Sequence, residues 1–283
     1  MSEQAVSHLA YDWIIVTYFF LGGLSAGAYI FSVVANYYKK EFRPLAKTAA
    51  ILAPITLAIG MLFLLFDLGQ PFRMWRLFLS FNPRSVISWG SWFLCIFFAL
   101  SLVHAWLLTK GEDEKAKKFT YLGLLMGFLV AVYTAIILAQ SPGTALWRHV
   151  IAILPWLFLI GGLISGIALV ILVSAGRMDD LLLAKLGKFL AWLVLLELVI
   201  IFTDVVILFN GDVTAVDSAK SFLVGEFSFL FWGLEIILGS LIPVIILLRT
   251  KVSAKGLAVA SMLILIGIYV MRYIVVVGGQ LTG

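Results

Sequence analysis

Trp13-Ile-Ile-Val-Thr-Tyr-Phe-Phe-Leu-Gly-Gly-Leu-Ser-Ala-Gly-Ala-Tyr-Ile-Phe-Ser-Val-Val-Ala35 runs without an Asp, Glu, Lys or Arg. A helix needs roughly 20 predominantly apolar residues to cross the hydrocarbon of a bilayer. In lipid every backbone amide must be satisfied inside its own segment, so such a stretch reads as a membrane-spanning helix. Seven more apolar stretches follow, and together they predict spans at 13–35, 50–66, 87–108, 119–139, 154–175, 187–209, 228–248 and 256–276. The composition agrees: 63% of residues are hydrophobic and 12% charged, where soluble domains are about half apolar and about a quarter charged. Eight helices and short loops nearly exhaust 283 residues, so no separate soluble domain is expected. The predicted fold is an all-α integral membrane bundle set in the lipid bilayer.

Charge orients it. The net charge is +5, with a pI of about 9.3. Fourteen Lys and Arg fall in the loops of one side (39–47, 110–118, 177–188, 249–255), against Arg73, Arg76, Arg84, Arg148 and Lys220 on the other. The positive-inside rule places the richer side in the cytoplasm and both termini on the extracytoplasmic side of the cytoplasmic (inner) membrane. The basic balance is therefore topological, and no nucleic-acid partner is implied. The first apolar stretch lacks a basic leader and is too long for a signal-peptide core, so no cleavable signal is expected.

The sequence also repeats. Gly22-Gly23-Leu24 aligns with Gly161-Gly162-Leu163, Gly27 with Gly166, and Trp92 with Trp232. Four spans separate the copies, so the repeat is parallel. This predicts two consecutive four-helix bundles, 1–140 and 141–283. Glycines one turn apart let helices approach closely; making room for a flat headgroup is the other reading.

Polar residues within the spans narrow the function. Glu197, Asp204, Glu235 and Arg272 lie inside apolar stretches, at a cost on the order of 3 kcal/mol each on insertion scales. Arg272 is placed to pair with Asp204 or Glu235, either as a structural ion-pair cluster or as part of a proton-conducting site. Glu197 has no evident partner. The loop after span 2 carries Asp67, Gly69, Pro71, Arg73 and Arg76, then Arg84. It reads either as an interfacial belt or as a lid fixing a carboxylate near a headgroup site. The histidines are His8, His104 and His149, and only His104 lies in a span, so paired axial haem ligands are not expected. Cys95 is the sole cysteine, so no iron–sulfur cluster or other metal site is expected in this protein.

Taken together, Tyr18 to Gly27, Asp67-Leu-Gly-Gln-Pro71 with Arg73 and Trp75, Pro83-Arg84-Ser85, Ser88-Trp89-Gly90, Tyr133-Thr134, and Arg272 to Gln280 resemble the NrfD/PsrC family. These are the membrane subunits of polysulfide reductase and its relatives, and the resemblance spans essentially the whole sequence. It implies a quinone site (menaquinone or ubiquinone) in the outer part of the first bundle. It implies an extracytoplasmic, four-cluster ferredoxin-like iron–sulfur subunit as partner, with a molybdopterin catalytic subunit beyond. Tyr133 is the residue carried over for quinone hydrogen bonding. Relatives use an amide or histidine near the position where Tyr18 and Thr17 stand here, which leaves Asp67 or His149 as proton acceptor. Gly23 borders the same site, and Arg73, Arg76 and Arg84 seat the partner.

Three functions are then on the table. The first is electron exchange between the quinone pool and the partner. The second is a transporter or proton channel using the buried acids. Matching broken helices would favour that reading, but Pro54 and Pro243 are not at equivalent repeat positions. The third is quinone chemistry coupled to proton movement through Glu197, Asp204 and Glu235.

Overall fold

The computed structural model describes residues 11–67, 81–140, 146–147, 150–249 and 253–281. Among them are eight helices long and apolar enough to cross a membrane. They are α1 (Trp13–Tyr38), α2 (Lys40–Asp67), α3 (Val86–Lys110), α4 (Asp113–Gln140), α5 (Leu154–Ser174), α6 (Asp180–Phe209), α8 (Phe229–Leu247) and α9 (Ala254–Leu281). A short amphipathic helix, α7 (Val213–Leu223), lies between α6 and α8. The eight-span expectation holds, and six of the eight helices are longer than hydropathy alone predicts, the fifth and seventh spans excepted. The second starts at Lys40 rather than 50, and the sixth at Asp180 rather than 187. Charged first turns extend these helices past the apolar run into the polar boundary.

Local chemistry sets the ends. Asp12 accepts from the Ile14 amide at 2.8 Å and starts α1. Asp179 caps α6 through Leu182 N–H at 3.0 Å, and Ser253 caps α9 through Gly256 N–H at 3.1 Å. Such caps satisfy amides that the first turn leaves orphaned. Gly111 closes α3 in the left-handed region (φ 77), which an L side chain avoids, and Glu112 N–H returns to Leu107 C=O at 3.0 Å. That tight reversal lays α4 antiparallel against α3.

Three helices carry wide π-turns. α1 ends on one, Val34–Tyr38. In α8 the stretch Phe229–Leu241 is π-helical, and Ser240 Oγ donates to the Glu235 carbonyl at 3.0 Å. Pro243 follows directly and has no N–H to give the preceding turn, which favours the wider register. In α9 the π-turn is Ile274–Gly278.

α1 packs along α2 on one flank and along α5 on another. The α1–α5 seam is made by the paired glycines. A Cβ on Gly27 would meet the backbone of Gly162 and Leu163, and one on Gly166 would meet the backbone of Gly27 and Ala28. The close-approach reading of these glycines is the one the structure realises. Isolated apolar side chains such as Ile55, Leu62, Trp192, Val199 and Ile245 point outward, as a lipid-facing surface requires.

Candidate functional site

A cavity of about 260 Å³ opens among the first four helices. Tyr11 stands just before α1, Ile15, Tyr18 and Phe19 come from its first turns, and Leu64 and Asp67 from the end of α2. Ile87, Ser91 and Leu94 come from the start of α3, and Tyr133 and Ile137 from the last turns of α4. Helices that alternate direction thus bring their same-side ends to one place. The walls are mainly apolar, with a few convergent polar groups, which is the usual make-up of a small-molecule site.

Those polar groups are specific. The Tyr18 hydroxyl is enclosed and has no hydrogen-bond partner among the described residues. A buried polar atom left unpaired is uncommon and asks for an explanation, such as a ligand or a water. The Tyr133 ring is buried and seated against Gly90 of α3, where an added Cβ would overlap the ring. Gly90 therefore sets how far the Tyr133 hydroxyl reaches. Gly90→Ala is expected to displace the ring and lower occupancy by a cavity ligand. A ligand titration that cannot tell Gly90→Ala from wild type would remove this role. Ser91 donates to its own helix at Ile87 C=O (3.0 Å), leaving Asp67 as the charged group at the mouth.

A model of the family described as polysulphide reductase, NrfD, matches residues 2–282. The protein belongs to the NrfD polysulphide reductase family. It is 26% identical to a polysulfide reductase chain of Wolinella succinogenes, a match covering 99% of this sequence and 97% of that one. It is 26% identical to a selenate reductase subunit of Mesobacillus selenatarsenatis, covering 94% of this sequence and 72% of the relative. To protein NrfD of Escherichia coli it is 25% identical, covering 100% of this sequence and 99% of the relative.

In this NrfD-family protein three of the residues singled out from sequence, Tyr18, Asp67 and Tyr133, share the cavity. Two others stand elsewhere. The Thr17 hydroxyl donates to Trp13 C=O at 2.8 Å and lies 3.0 Å from the Tyr269 hydroxyl, so it faces α9. Gly23 faces the seam, where an added Cβ would come within 2.9 Å of Arg272 Nη2. Neither residue lines the cavity. For Thr17 the physical reason is helical phase, since residue 17 lies on the other side of α1 from 15, 18 and 19; Gly23 stands one turn beyond Phe19, where α1 meets α5. Arg84 is exposed in the turn before α3, with its N–H bonded to Asn82 Oδ1 at 3.0 Å. Arg73, Arg76 and His149 fall outside the described residues. Sequence reasoning gave no site role to Tyr11, Ser91 or Gly90, although Gly90 stands in the Ser88-Trp89-Gly90 motif. The 87/91/94 spacing on α3 is a helix face and was visible, but which face meets Tyr133 is a tertiary fact.

The second polar group corrects an expectation. Arg272 is 1% exposed, yet it forms no ion pair with Asp204, Glu235 or any other described acid. Its Nη2 donates to Phe158 C=O at 2.8 Å, and the guanidinium lies over the Phe158 ring at 3.7 Å. Nε and Nη1 have no hydrogen-bond partner among the described residues. α9 aims Arg272 into the α1–α5 seam, where Gly23 leaves room, and the aromatic face and carbonyl take the cation. Glu197 is buried on α6. Its Oε1 has no hydrogen-bond partner among the described residues and faces Gly161 of α5. Glu235 is likewise buried, on α8, and Asp204 Oδ1 on α6 has no hydrogen-bond partner among the described residues. Among the described residues no three His, Cys, Asp or Glu are grouped to hold a metal ion.

Proposed function

We propose that this protein is the quinone-reactive membrane subunit of a respiratory oxidoreductase. It exchanges electrons between the membrane quinone pool and an extracytoplasmic iron–sulfur subunit. The observation that carries this reading is the convergence of Tyr18, Asp67 and Tyr133, from three helices, on one apolar cavity. The enclosed, unpartnered Tyr18 hydroxyl fits a quinone carbonyl, and the apolar walls fit its ring. A bound quinol supplies two electrons and two protons, with the electrons leaving to the partner's nearest cluster.

Within that reading the roles divide by chemistry. Tyr133 and Tyr18 donate hydrogen bonds to the headgroup oxygens and fix its plane. Asp67, at the mouth, accepts a proton from the headgroup hydroxyl and passes it outward, or returns it in the reverse direction. Phe19, Ile15, Leu94 and Ile137 exclude bulk water from the headgroup. The positive-inside bias puts this end of the bundle, and both termini, outside the cytoplasmic membrane. Arg84, with Arg73 and Arg76, seats an iron–sulfur subunit of the four-cluster ferredoxin type, with a molybdopterin catalytic subunit beyond it. Two relatives are named as parts of larger enzymes, a selenate reductase and a polysulfide reductase, which supports such a multi-subunit setting.

The test is a titration of a fluorescent quinol analogue into the purified protein. Tyr133→Phe removes one hydrogen bond, and about tenfold weaker binding is expected. No binding by correctly folded wild-type protein would promote the transporter reading.

Glu197 Oε1 and the Arg272 Nε and Nη1 atoms, buried and without hydrogen-bond partners among the described residues, favour one addition, proton movement coupled to quinone chemistry through Glu197, Asp204 and Glu235. Glu197→Gln is expected to lower the membrane potential generated per quinol oxidised in proteoliposomes containing the complex. An unchanged potential sinks the coupled route and leaves the electron-transfer reading intact.

A further inference from the structure

The last residues of α9 reach across the molecule to the cavity. The Gln280 carboxamide binds the backbone of Tyr11 at two points: Tyr11 N–H donates to Oε1 at 3.0 Å, and Nε2 donates to Tyr11 C=O at 2.8 Å. Nε2 donates a second time, to Val276 C=O one turn back, at 2.9 Å. The side chain thus pairs with Tyr11 as a neighbouring strand's peptide would. Its orientation follows from its partners, because one N–H needs an acceptor and two carbonyls need donors. No other natural side chain supplies both functions at that reach. Glu lacks the donors, Asn is shorter, and Met lacks both.

The surroundings reinforce the clamp. Trp147, fully buried between α4 and α5, donates from Nε1 to Val275 C=O at 2.8 Å, within the π-turn of α9. Its ring meets the Tyr11 ring edge-on, with centroids 6.0 Å apart. Gly279 is required there, because a Cβ would come within 2.7 Å of Trp147 Nε1. Tyr11 in turn is a wall of the cavity, beside Ile15 and Tyr18. A cavity built by the first four helices is therefore closed on one side by a residue that the final helix holds in place.

We propose that Gln280 is a positioning residue of the cavity: it fixes Tyr11 as the wall against which a quinone headgroup is held. The proposal rests on the quinone reading and adds a determinant from the opposite end of the sequence. The π-turn also links this clamp to Arg272, two residues before it begins, so the seam and the cavity share one continuous segment.

The test uses the full-length protein in lipid nanodiscs, a fluorescent hydroxyquinoline N-oxide as quinol analogue, and hydrogen exchange at the Tyr11 amide. In Gln280→Met the Tyr11 amide should exchange faster while α1 amides beyond Val16 keep their protection. The analogue's Kd should rise about tenfold. Gln280→Glu, of nearly the same shape, should also bind more weakly, since it loses both donations. Tyr11→Ala should weaken binding by itself, and adding Gln280→Met should cost little more, as expected of two residues acting through one contact. Additive losses would overturn the proposal, because Gln280 would then act on the fold at large. Faster exchange with unchanged Kd would overturn it too. If wild type binds no analogue while its Tyr11 amide stays protected, the quinone reading falls and the positioning role with it. That outcome is distinct from wild-type binding that ignores Gln280.

Discussion

Asp67→Asn is expected to lower quinol-dependent electron transfer by about 10²- to 10⁴-fold, the range a positioned proton acceptor contributes. Analogue binding should change far less, because asparagine keeps the shape of the carboxylate and one acceptor oxygen for the headgroup hydroxyl. The physical argument is local. Asp67 is the last residue of α2 and the acidic member of the cavity lining, where the other polar side chains are hydroxyls from Tyr11, Tyr18, Ser91 and Tyr133. A tyrosine or serine hydroxyl is a poor base at neutral pH, whereas a carboxylate at the mouth can take a proton and release it to water. The measurement is turnover of the assembled complex with a soluble quinol, alongside a titration of the same variant. Wild-type turnover in Asp67→Asn would remove Asp67 from the proton step. Lost turnover with equally lost binding would recast it as a binding group.

The second large effect concerns the seam between α1 and α5, and it distinguishes two glycines of one motif. A Cβ on Gly27 would come within 2.6 Å of the Gly162 carbonyl carbon and 2.8 Å of Leu163 Cα. Both are backbone atoms, and no rotamer change can relieve the overlap. Gly27→Ala should therefore cost at the upper end of the roughly 1–3 kcal/mol typical of overpacking, or more. At Gly22 the nearest atom to an added Cβ is Val130 Cγ1 at 4.0 Å, an ordinary contact. Gly22→Ala should be neutral or slightly stabilising, since alanine loses less conformational freedom in a helix. Thermal stability of the two variants in detergent, read by size exclusion, checks this. Equal melting temperatures would mean that the helices are not held at this distance.

How far the sequence reached can be seen at particular residues. Tyr18, Asp67 and Tyr133 were legible as a set because their motifs resemble one family, and the structure places them on one cavity. Thr17 and Gly23 were drawn in by nearness along the backbone; helical phase turns Thr17 away, and Gly23 stands a turn beyond the cavity, in the seam with α5. Arg272 was legible as a buried charge but not as a partner of Phe158. Opposite charges on neighbouring helices suggest an ion pair, and only the packing of α9 against the seam shows that an aromatic face takes the cation instead. The wide π-turns left no clear signal beyond Pro243.

The sequence by itself determined that this is an eight-span membrane protein, and it marked the glycines that bring α1 and α5 together. Both follow from local quantities: transfer of an apolar run into lipid, and the absence of side chains at one helix spacing. The tertiary structure alone decided that Gln280 clamps Tyr11, a pair 269 positions apart, and that Gly90 seats Tyr133. Such contacts depend on helix rotation and register, which are set by the packing of many side chains at once and leave no periodic trace in either partner.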